Sequence, residues 1–220
     1  MRAFVCWRRG AAAAGLAVLA ACTYAGDTGN PVARALTWFS YVGGEDIRAA
    51  CRVGGPDRFR FVYNGHYQLQ IRAYDLEAVP GGAELTARAR GRSGDVSRFS
   101  FDEPFGPWTL DRAAAKLTNP QAAAIVSALS QAAGKAQPAA GQSMQSYEFY
   151  WIVAACSSGR FGLHVFRWPQ MDIDTLPFVP LLLAHDDTGV PFQKTRQVEG
   201  MKQNAFGIKV NAAGDGLVRF

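Results

Sequence analysis

The chain has 220 residues, 49% of them hydrophobic, and its 23 Lys and Arg residues outnumber 18 Asp and Glu residues for a formal net charge of +5. This length suffices for one domain with a sizeable core or for two small ones. Residues 1–21 contain three arginines and no acidic residue, so the charge of the remainder is only +2. A nearly neutral remainder excludes a strongly basic nucleic-acid-binding domain, and we expect no nucleic-acid partner.

The first 21 residues have the layout of a secretory signal. Arg2, Arg8 and Arg9 supply a positively charged start. The apolar run at 10–21 follows, and it is too short to span a bilayer core of about 30 Å. This order of charge and apolar residues predicts export from the cytoplasm, with residues 1–21 removed.

The segment ends on Leu19-Ala20-Ala21-Cys22, which resembles the lipobox of bacterial lipoproteins. The resemblance implies cleavage before Cys22, lipid on the Cys22 sulfur and a cell-envelope membrane as the partner of that lipid. Two or three acyl chains anchor a protein durably, whereas one anchors weakly. Thr23 follows in place of an aspartate, which in this family favours the periplasmic face of the outer membrane. An ordinary signal peptidase acting at Val18 and Ala20 is the alternative.

The lipobox divides the chain into three predicted parts. Residues 1–21 are the signal peptide, and residues 22–35 are small, polar and turn-forming, which predicts a flexible tether. Residues 36–220 are predicted to form a single globular domain. The composition and residues 38–41 resemble those of envelope lipoproteins of alphaproteobacteria, without pointing to a named family for this domain.

Four cysteines occur in the sequence. Under the resemblance, Cys6 leaves with the signal peptide and Cys22 carries the lipid. Cys51 and Cys156 then remain in an oxidising compartment, where a pair is the smallest disulfide framework. We therefore expect a Cys51–Cys156 disulfide, and the alternative is two buried thiols.

The pattern of residues 36–220 predicts an α+β fold, mostly an antiparallel meander with one main helix. Alternating polar and apolar residues predict strands at 58–63 and 67–72, joined by a type I′ turn at Asn64-Gly65. Further strands are predicted at 36–42, 84–90, 97–101, 147–156, 161–168, 179–184, 191–198, 205–211 and 217–220.

Two helices are predicted between these strands. A short one covers 45–51, with Glu45 and Asp46 in its first turn. The main helix begins at Asn119-Pro120, because asparagine accepts hydrogen bonds at an N-cap and proline suits the first helical position. Its predicted buried stripe consists of Ala122, Ile125, Val126, Leu129 and Ala133.

Arginines recur along the predicted strands, namely Arg58, Arg60, Arg72, Arg88, Arg90 and Arg98. On a meander, Arg58, Arg60, Arg88 and Arg90 gather on one face and form a candidate anion-binding face for phosphate or carboxylate groups. Acidic envelope polymers are the corresponding ligands. The alternative is an ordinary solvated outer face of the sheet.

The sequence favours a non-catalytic, membrane-anchored envelope protein that acts through structural or binding contacts with other envelope proteins or anionic polymers. No catalytic motif, metal site or cofactor site is predicted. The alternative is a hydrolase-like envelope enzyme in a cleft of the sheet. Its residues are His185 and the nearby aspartates Asp172, Asp174, Asp186 and Asp187.

Overall fold

The structure is a computed structural model that describes residues 31–67, 69–90, 110–199 and 205–220. The predicted signal peptide, Cys22 and the predicted strand 97–101 lie outside these residues. Within the described ranges, none of the helices is long and apolar enough to cross a membrane.

A six-stranded, fully antiparallel sheet forms the centre of the fold, in the order β4-β3-β2-β1-β6-β7. The strands are β1 (Arg58–Gly65), β2 (Gln70–Val79), β3 (Gly82–Arg90), β4 (Asp111–Thr118), β6 (Phe149–Ser157) and β7 (Arg160–Arg167). The predicted α+β class with a mostly antiparallel sheet is confirmed. The fourth strand of the meander is β4, a segment that the sequence pattern did not assign.

Both faces of this sheet are covered. On the first, here called the α1 face, lie α1 (Pro31–Val42), α2 (Glu45–Ala50) and a small sheet of β5 (Ser143–Gln145), β8 (Gly207–Val210) and β9 (Leu217–Arg219). On the second, here called the α3 face, lie α3 (Asn119–Ala133), α4 (Phe178–Leu183) and the segment 184–199. β1 and β6 are buried on both faces. The sequence of β6 is accordingly almost continuously apolar or aromatic, whereas β1 also contains Arg60 and Asn64, whose polar groups are hydrogen-bonded.

The main helix α3 lies where its cap signal predicts, shifted by one residue at its start. The N-cap is Thr118, whose backbone N–H donates to the Gln121 side chain at 2.8 Å in a capping box, and Asn119 is already helical. Ile125 and Leu129 of the predicted stripe are buried, together with Ala128 and Ala132. The helix therefore packs one narrow apolar stripe against the α3 face.

Three predicted strands are absent from the described residues. Residues 36–42 belong to α1, and this helix starts at Pro31, so the last residues of the predicted tether are helical. Residues 179–184 fall largely in α4, where Phe178, Val179 and Leu182 face the core at helical spacing. Residues 191–198 have no regular structure. Tertiary burial of aromatic and β-branched side chains outweighs their strand propensity in α1 and α4.

The hairpin of β1 and β2 is present, but its turn is not at Asn64-Gly65. Both residues extend β1, and Gly65 pairs with Gln70, so the reversal lies in 66–69. The Asn64 side chain donates to the carbonyl oxygens of Ser146 and Glu148 at 2.8 and 2.6 Å. These tertiary hydrogen bonds, together with pairing of β1 to β6 as far as Phe149, hold Asn64 and Gly65 in the strand.

The predicted Cys51–Cys156 disulfide is confirmed, with the two Cα atoms 5.7 Å apart. Cys51 directly follows α2, and Cys156 lies in β6 opposite Arg58 of β1. The bond closes a loop with a sequence separation of 105 residues. A loop of this size corresponds to about 4–5 kcal/mol of chain-entropy stabilisation.

Candidate functional site

The four arginines of the predicted anion-binding face do lie on one face of the sheet, the α1 face, as the strand register requires. Three of them are paired with carboxylates: Arg58 with Glu77, Arg60 with Asp46 and Asp75, and Arg88 with Asp75. These pairs disfavour the predicted anion-binding face, because guanidinium groups already neutralised by carboxylates are less available to an added anion. Arg90 is half-buried, and burial lowers its pKa.

Arg60 is the centre of these pairs, and its side chain is only 5% exposed. Its Nη1 and Nη2 donate to the two carboxylate oxygens of Asp46 at 2.7 and 2.9 Å, and its Nε donates to Asp75 at 2.5 Å. The guanidinium carbon lies 3.8 Å from the centroid of the Tyr41 ring. Burial opposes the charge, but Asp75 and Asp46 outweigh burial and raise the pKa of Arg60.

Asp75 connects this cluster to a second cation. Its carboxylate accepts from Arg60, from Arg88 and, at 2.9 Å, from the Tyr41 hydroxyl. Burial and the Asp75 charge both raise the pKa of Tyr41, so this hydroxyl stays protonated and donates. Two guanidinium groups thus balance two carboxylates, and the cluster joins α1, α2 and three strands. We call Tyr41, Asp46, Arg60, Asp75 and Arg88 the Arg60 cluster.

A second buried arginine, Arg72, lies on the α3 face with its side chain 1% exposed. It donates to the Asp186 carboxylate, to the Val190 carbonyl and, at 3.1 Å, to the Gln70 side chain. The Tyr74 hydroxyl also donates to Asp186, at 2.6 Å. Burial opposes ionisation of Asp186, but hydrogen bonds from Thr188 and Tyr74 and the charge of Arg72 lower its pKa.

Neutral side chains of β1 and β2 form further hydrogen bonds to the segment 184–199. Gln70 donates to the Pro191 carbonyl at 2.8 Å and accepts from the Gln193 backbone N–H at 2.9 Å, while the Tyr63 hydroxyl donates to the Gln193 carbonyl at 2.8 Å. Strand side chains thereby satisfy backbone groups that would otherwise bond within a helix or sheet. The segment is irregular because its hydrogen bonds run to side chains of β1 and β2.

Two of the aspartates proposed for an enzyme, Asp186 and Asp174, have structural partners. His185 follows α4, whereas Asp186 is bound to Arg72 and Tyr74, and Asp174 accepts from the Thr195 backbone and hydroxyl at 3.0 and 2.8 Å. The other histidines lie on different elements, in the loop after β1 and in β7. In the part of the chain that the structure describes, no three His, Cys, Asp or Glu side chains are placed to hold a metal ion.

A small apolar crevice lies between α1, the α1 face and β8. Its lining is mainly apolar and aromatic and includes Trp38, Phe39, Tyr150 and Phe206, together with the polar side chain of Asn64. The Asn64 amide is already bonded to two backbone carbonyls. The crevice has room for about one water molecule, so it holds no preformed small-molecule pocket.

Sequence reasoning missed the partners of both buried arginines. Asp75 could have been found from strand alternation, which places it on the same face as Arg60 once β1 and β2 are paired. Asp46 and Asp186 lie outside the sheet, and no local pattern links Asp46 to Arg60, 14 residues later, or Asp186 to Arg72, 114 residues earlier. Cys22, the predicted lipid site, lies outside the described residues.

The buried ion pairs of Arg60 and Arg72 therefore connect the central sheet to the elements that cover its two faces. Comparison of the chain with models of known protein families, with curated proteins and with solved structures gives no match in any of the three.

Proposed function

We propose that this chain is an exported, lipid-anchored envelope protein with a structural or binding role. Cys22 in Leu19-Ala20-Ala21-Cys22 is the proposed lipid site, on the periplasmic face of the outer membrane. The anchor holds the domain at the membrane, where it contacts other envelope proteins or polymers.

The observation that carries the proposal is the Cys51–Cys156 disulfide, because it is independent of the first 22 residues. Structural disulfides persist in the periplasm and outside the cell and are rare in the reducing cytoplasm. A disulfide in the folded domain and a lipobox-like segment before it independently favour export. The engagement of Asp186 and of the Arg60 cluster in structural ion pairs supports a non-catalytic role.

The anchor is tested by feeding cells labelled palmitate and isolating the protein. Label should enter the wild type and be lost in Cys22→Ala, because the thioether carries the lipid. Cys6→Ala is the matched control, since Cys6 lies in the predicted signal peptide and its loss should leave the label unchanged. Equal labelling of the wild type and Cys22→Ala would refute the lipid anchor.

Export is tested separately through the disulfide. In intact cells Cys51 and Cys156 should resist a thiol-alkylating reagent until a reductant is added. The Cys22→Ala protein should show the same protection if it is still exported. Alkylation of both cysteines without reductant in the wild type would contradict an oxidising location.

The structural or binding role is tested by crosslinking in intact cells. The wild type should give the same crosslinked envelope component in repeated experiments, and this product should weaken in Cys22→Ala because the domain leaves the membrane. A spread of unrelated neighbours that is equal in both proteins would contradict the proposed role.

A further inference from the structure

Two exposed apolar side chains lie next to each other on one face of a single strand. Val218 and Phe220 are 56% and 64% exposed, at alternate positions of β9 and just after it. The remaining exposed large hydrophobic residues of the described ranges, Val53 and Val79, lie in a turn and at the end of β2. Val218 and Phe220 therefore form a small patch, whereas the others are single exposed side chains.

The strand register places a cation beside this patch. Lys209 of β8 pairs with Val218, and Gly207 exchanges backbone hydrogen bonds with Phe220. Ile208 and Val210 point inward and are buried, so Lys209, which alternates with them, points outward with Val218 and Phe220. We call Lys209, Val218 and Phe220 the β9 patch. Arg219, which alternates with Val218 and Phe220, belongs to the opposite face of the strand, and its guanidinium carbon lies 5.2 Å from the centroid of the Phe39 ring.

The β9 patch lies toward the end of the fold from which the N-terminal tether leaves. Leu217 is next to Gly43, just after α1, because a Cβ placed on Gly43 would be 3.5 Å from Leu217 Cγ. Arg219 is next to Phe39, one helical turn earlier. β9 thus runs toward the start of α1, and Phe220 lies further in that direction than Arg219.

The tether is short relative to the domain. Nine residues lead from Cys22 to Pro31, where α1 begins, and they span at most about 30 Å when fully extended. A globular unit of about 190 residues has a radius of gyration of about 16 Å, hence a diameter of about 40 Å. A tether shorter than this diameter keeps the α1 start, and the surface around it, close to the membrane.

We propose that the β9 patch rests on the membrane in which Cys22 is anchored, with Val218 and Phe220 in the interfacial region and Lys209 on anionic lipid headgroups. The inference rests on the proposed lipid anchor. Apolar side chains enter the boundary between headgroups and acyl chains, and a lysine keeps its charge among the phosphates. Each basic residue near an anionic surface contributes about fivefold to the strength of this contact.

The test places a spin label on either of two exposed valines, Val218→Cys or Val53→Cys, in the full lipidated chain. Cys51 and Cys156 are bonded to each other and Cys22 carries lipid, so the introduced cysteine is the reactive thiol. Vesicles contain phosphatidylethanolamine and phosphatidylglycerol. The label at 218 should lose accessibility to an aqueous nickel relaxant and gain accessibility to oxygen, while the label at 53 stays accessible to nickel.

Several outcomes separate the inference from the function on which it rests. Equal nickel accessibility of both labels in protein that carries palmitate overturns the membrane contact and leaves the lipid anchor intact. Absence of palmitate overturns both. Shielding at 218 that persists in Cys22→Ser protein without vesicles means that a second copy covers the patch, and this also overturns the membrane contact.

A charge reversal tests the proposed headgroup contact. Lys209→Glu should return the label at 218 toward aqueous accessibility on the anionic vesicles, because the cation that meets the headgroups is replaced by an anion. Lys194→Glu, in the segment 184–199 on the α3 face, is the control and should change nothing at 218. An equal effect of both reversals contradicts a specific role for Lys209.

Discussion

Arg60 and Arg72 lie on neighbouring strands and are both almost inaccessible to solvent, yet they face opposite layers and have different partners. Arg60 meets two carboxylates from regular elements, Asp46 of α2 and Asp75 of β2. Arg72 meets one carboxylate, Asp186, and otherwise neutral acceptors, and its partners Asp186 and Val190 lie in an irregular segment. Buried charge therefore joins helices to the sheet on the α1 face and attaches a loop on the α3 face.

Arg60→Met should have the largest effect and lower the free energy of unfolding by ~3–5 kcal/mol, because it leaves buried carboxylates without their shared cation. Urea unfolding measures this loss. Arg48→Met is the matched control, since Arg48 forms an exposed pair with Asp215 and exposed ion pairs contribute little to stability. Equal losses in the two variants would show that the Arg60 cluster does not stabilise the α1 face.

The disulfide reinforces the α1 face alone, because Cys51 directly follows α2. Replacing both cysteines with alanine should lower the free energy of unfolding by ~2–5 kcal/mol through the larger entropy of the unfolded chain. Urea unfolding with and without reductant gives the measurement, and reductant should destabilise the wild type but not the double variant. A wild type that is insensitive to reductant would contradict this contribution.

Asp186→Asn should have the smallest global effect, ~1–3 kcal/mol, because Arg72 keeps its neutral acceptors. Hydrogen exchange should nevertheless rise in the segment 184–199, which Asp186 helps to attach. Increased exchange spread evenly over the sheet would contradict a local role.

The pH dependence of stability in Asp186→Asn gives a second test of the contact between Asp186 and Arg72. The folded-state pKa of Asp186 is lowered, so its stabilisation is complete above the unfolded pKa near 3.9 and is lost as the pH falls through the folded value. Between about pH 5 and 2 the wild type should therefore lose stability more steeply than Asp186→Asn. Asp187→Asn, at an exposed neighbouring position, should follow the wild type, and an equally flat profile for it would contradict the assignment to Asp186.

Strand alternation was enough to predict the faces of the sheet but not its register. A turn at Asn64-Gly65 would pair Tyr63 with His66, whereas Tyr63 pairs with Arg72. His66 and Arg72 are both even-numbered residues. The displaced turn therefore leaves the even-numbered side chains of β2 on the same face of the sheet as Tyr63. The register depends on hydrogen bonds from Asn64 to residues more than eighty positions later, which no local pattern contains.

The sequence of α1 contains a helical spacing of apolar residues that competes with its strand propensity. Trp38, Tyr41 and Val42 are buried at the helical spacing i, i+3 and i+4, and Pro31 stands at the helix start. Aromatic and β-branched residues in the same stretch favour a strand in isolation. Packing against the α1 face decides the outcome, and this packing exists only in the folded chain.

In the candidate site, too, some features could be predicted from the sequence and others depend on tertiary packing. The two cysteines could be paired from their number and from the oxidising compartment that the lipobox resemblance implies, because only one connectivity was then available. The arginines could be placed on one face together with Asp75, but the pairing of Arg60 with Asp46 could not be predicted, since Asp46 belongs to a helix whose position relative to the sheet is set by tertiary packing.

The position of β1 between β2 and β6 has a consequence for the nascent protein. A chain that crosses a membrane N-terminus first delivers β1 to β4 well before Phe149 and the rest of β6. During that interval the inner edge of β1 has no neighbouring strand, and such open apolar edges pair with other chains. Under the export proposed above, the nascent chain is therefore most prone to aggregate before its second half arrives, and a chaperone that shields extended apolar segments would act at this stage.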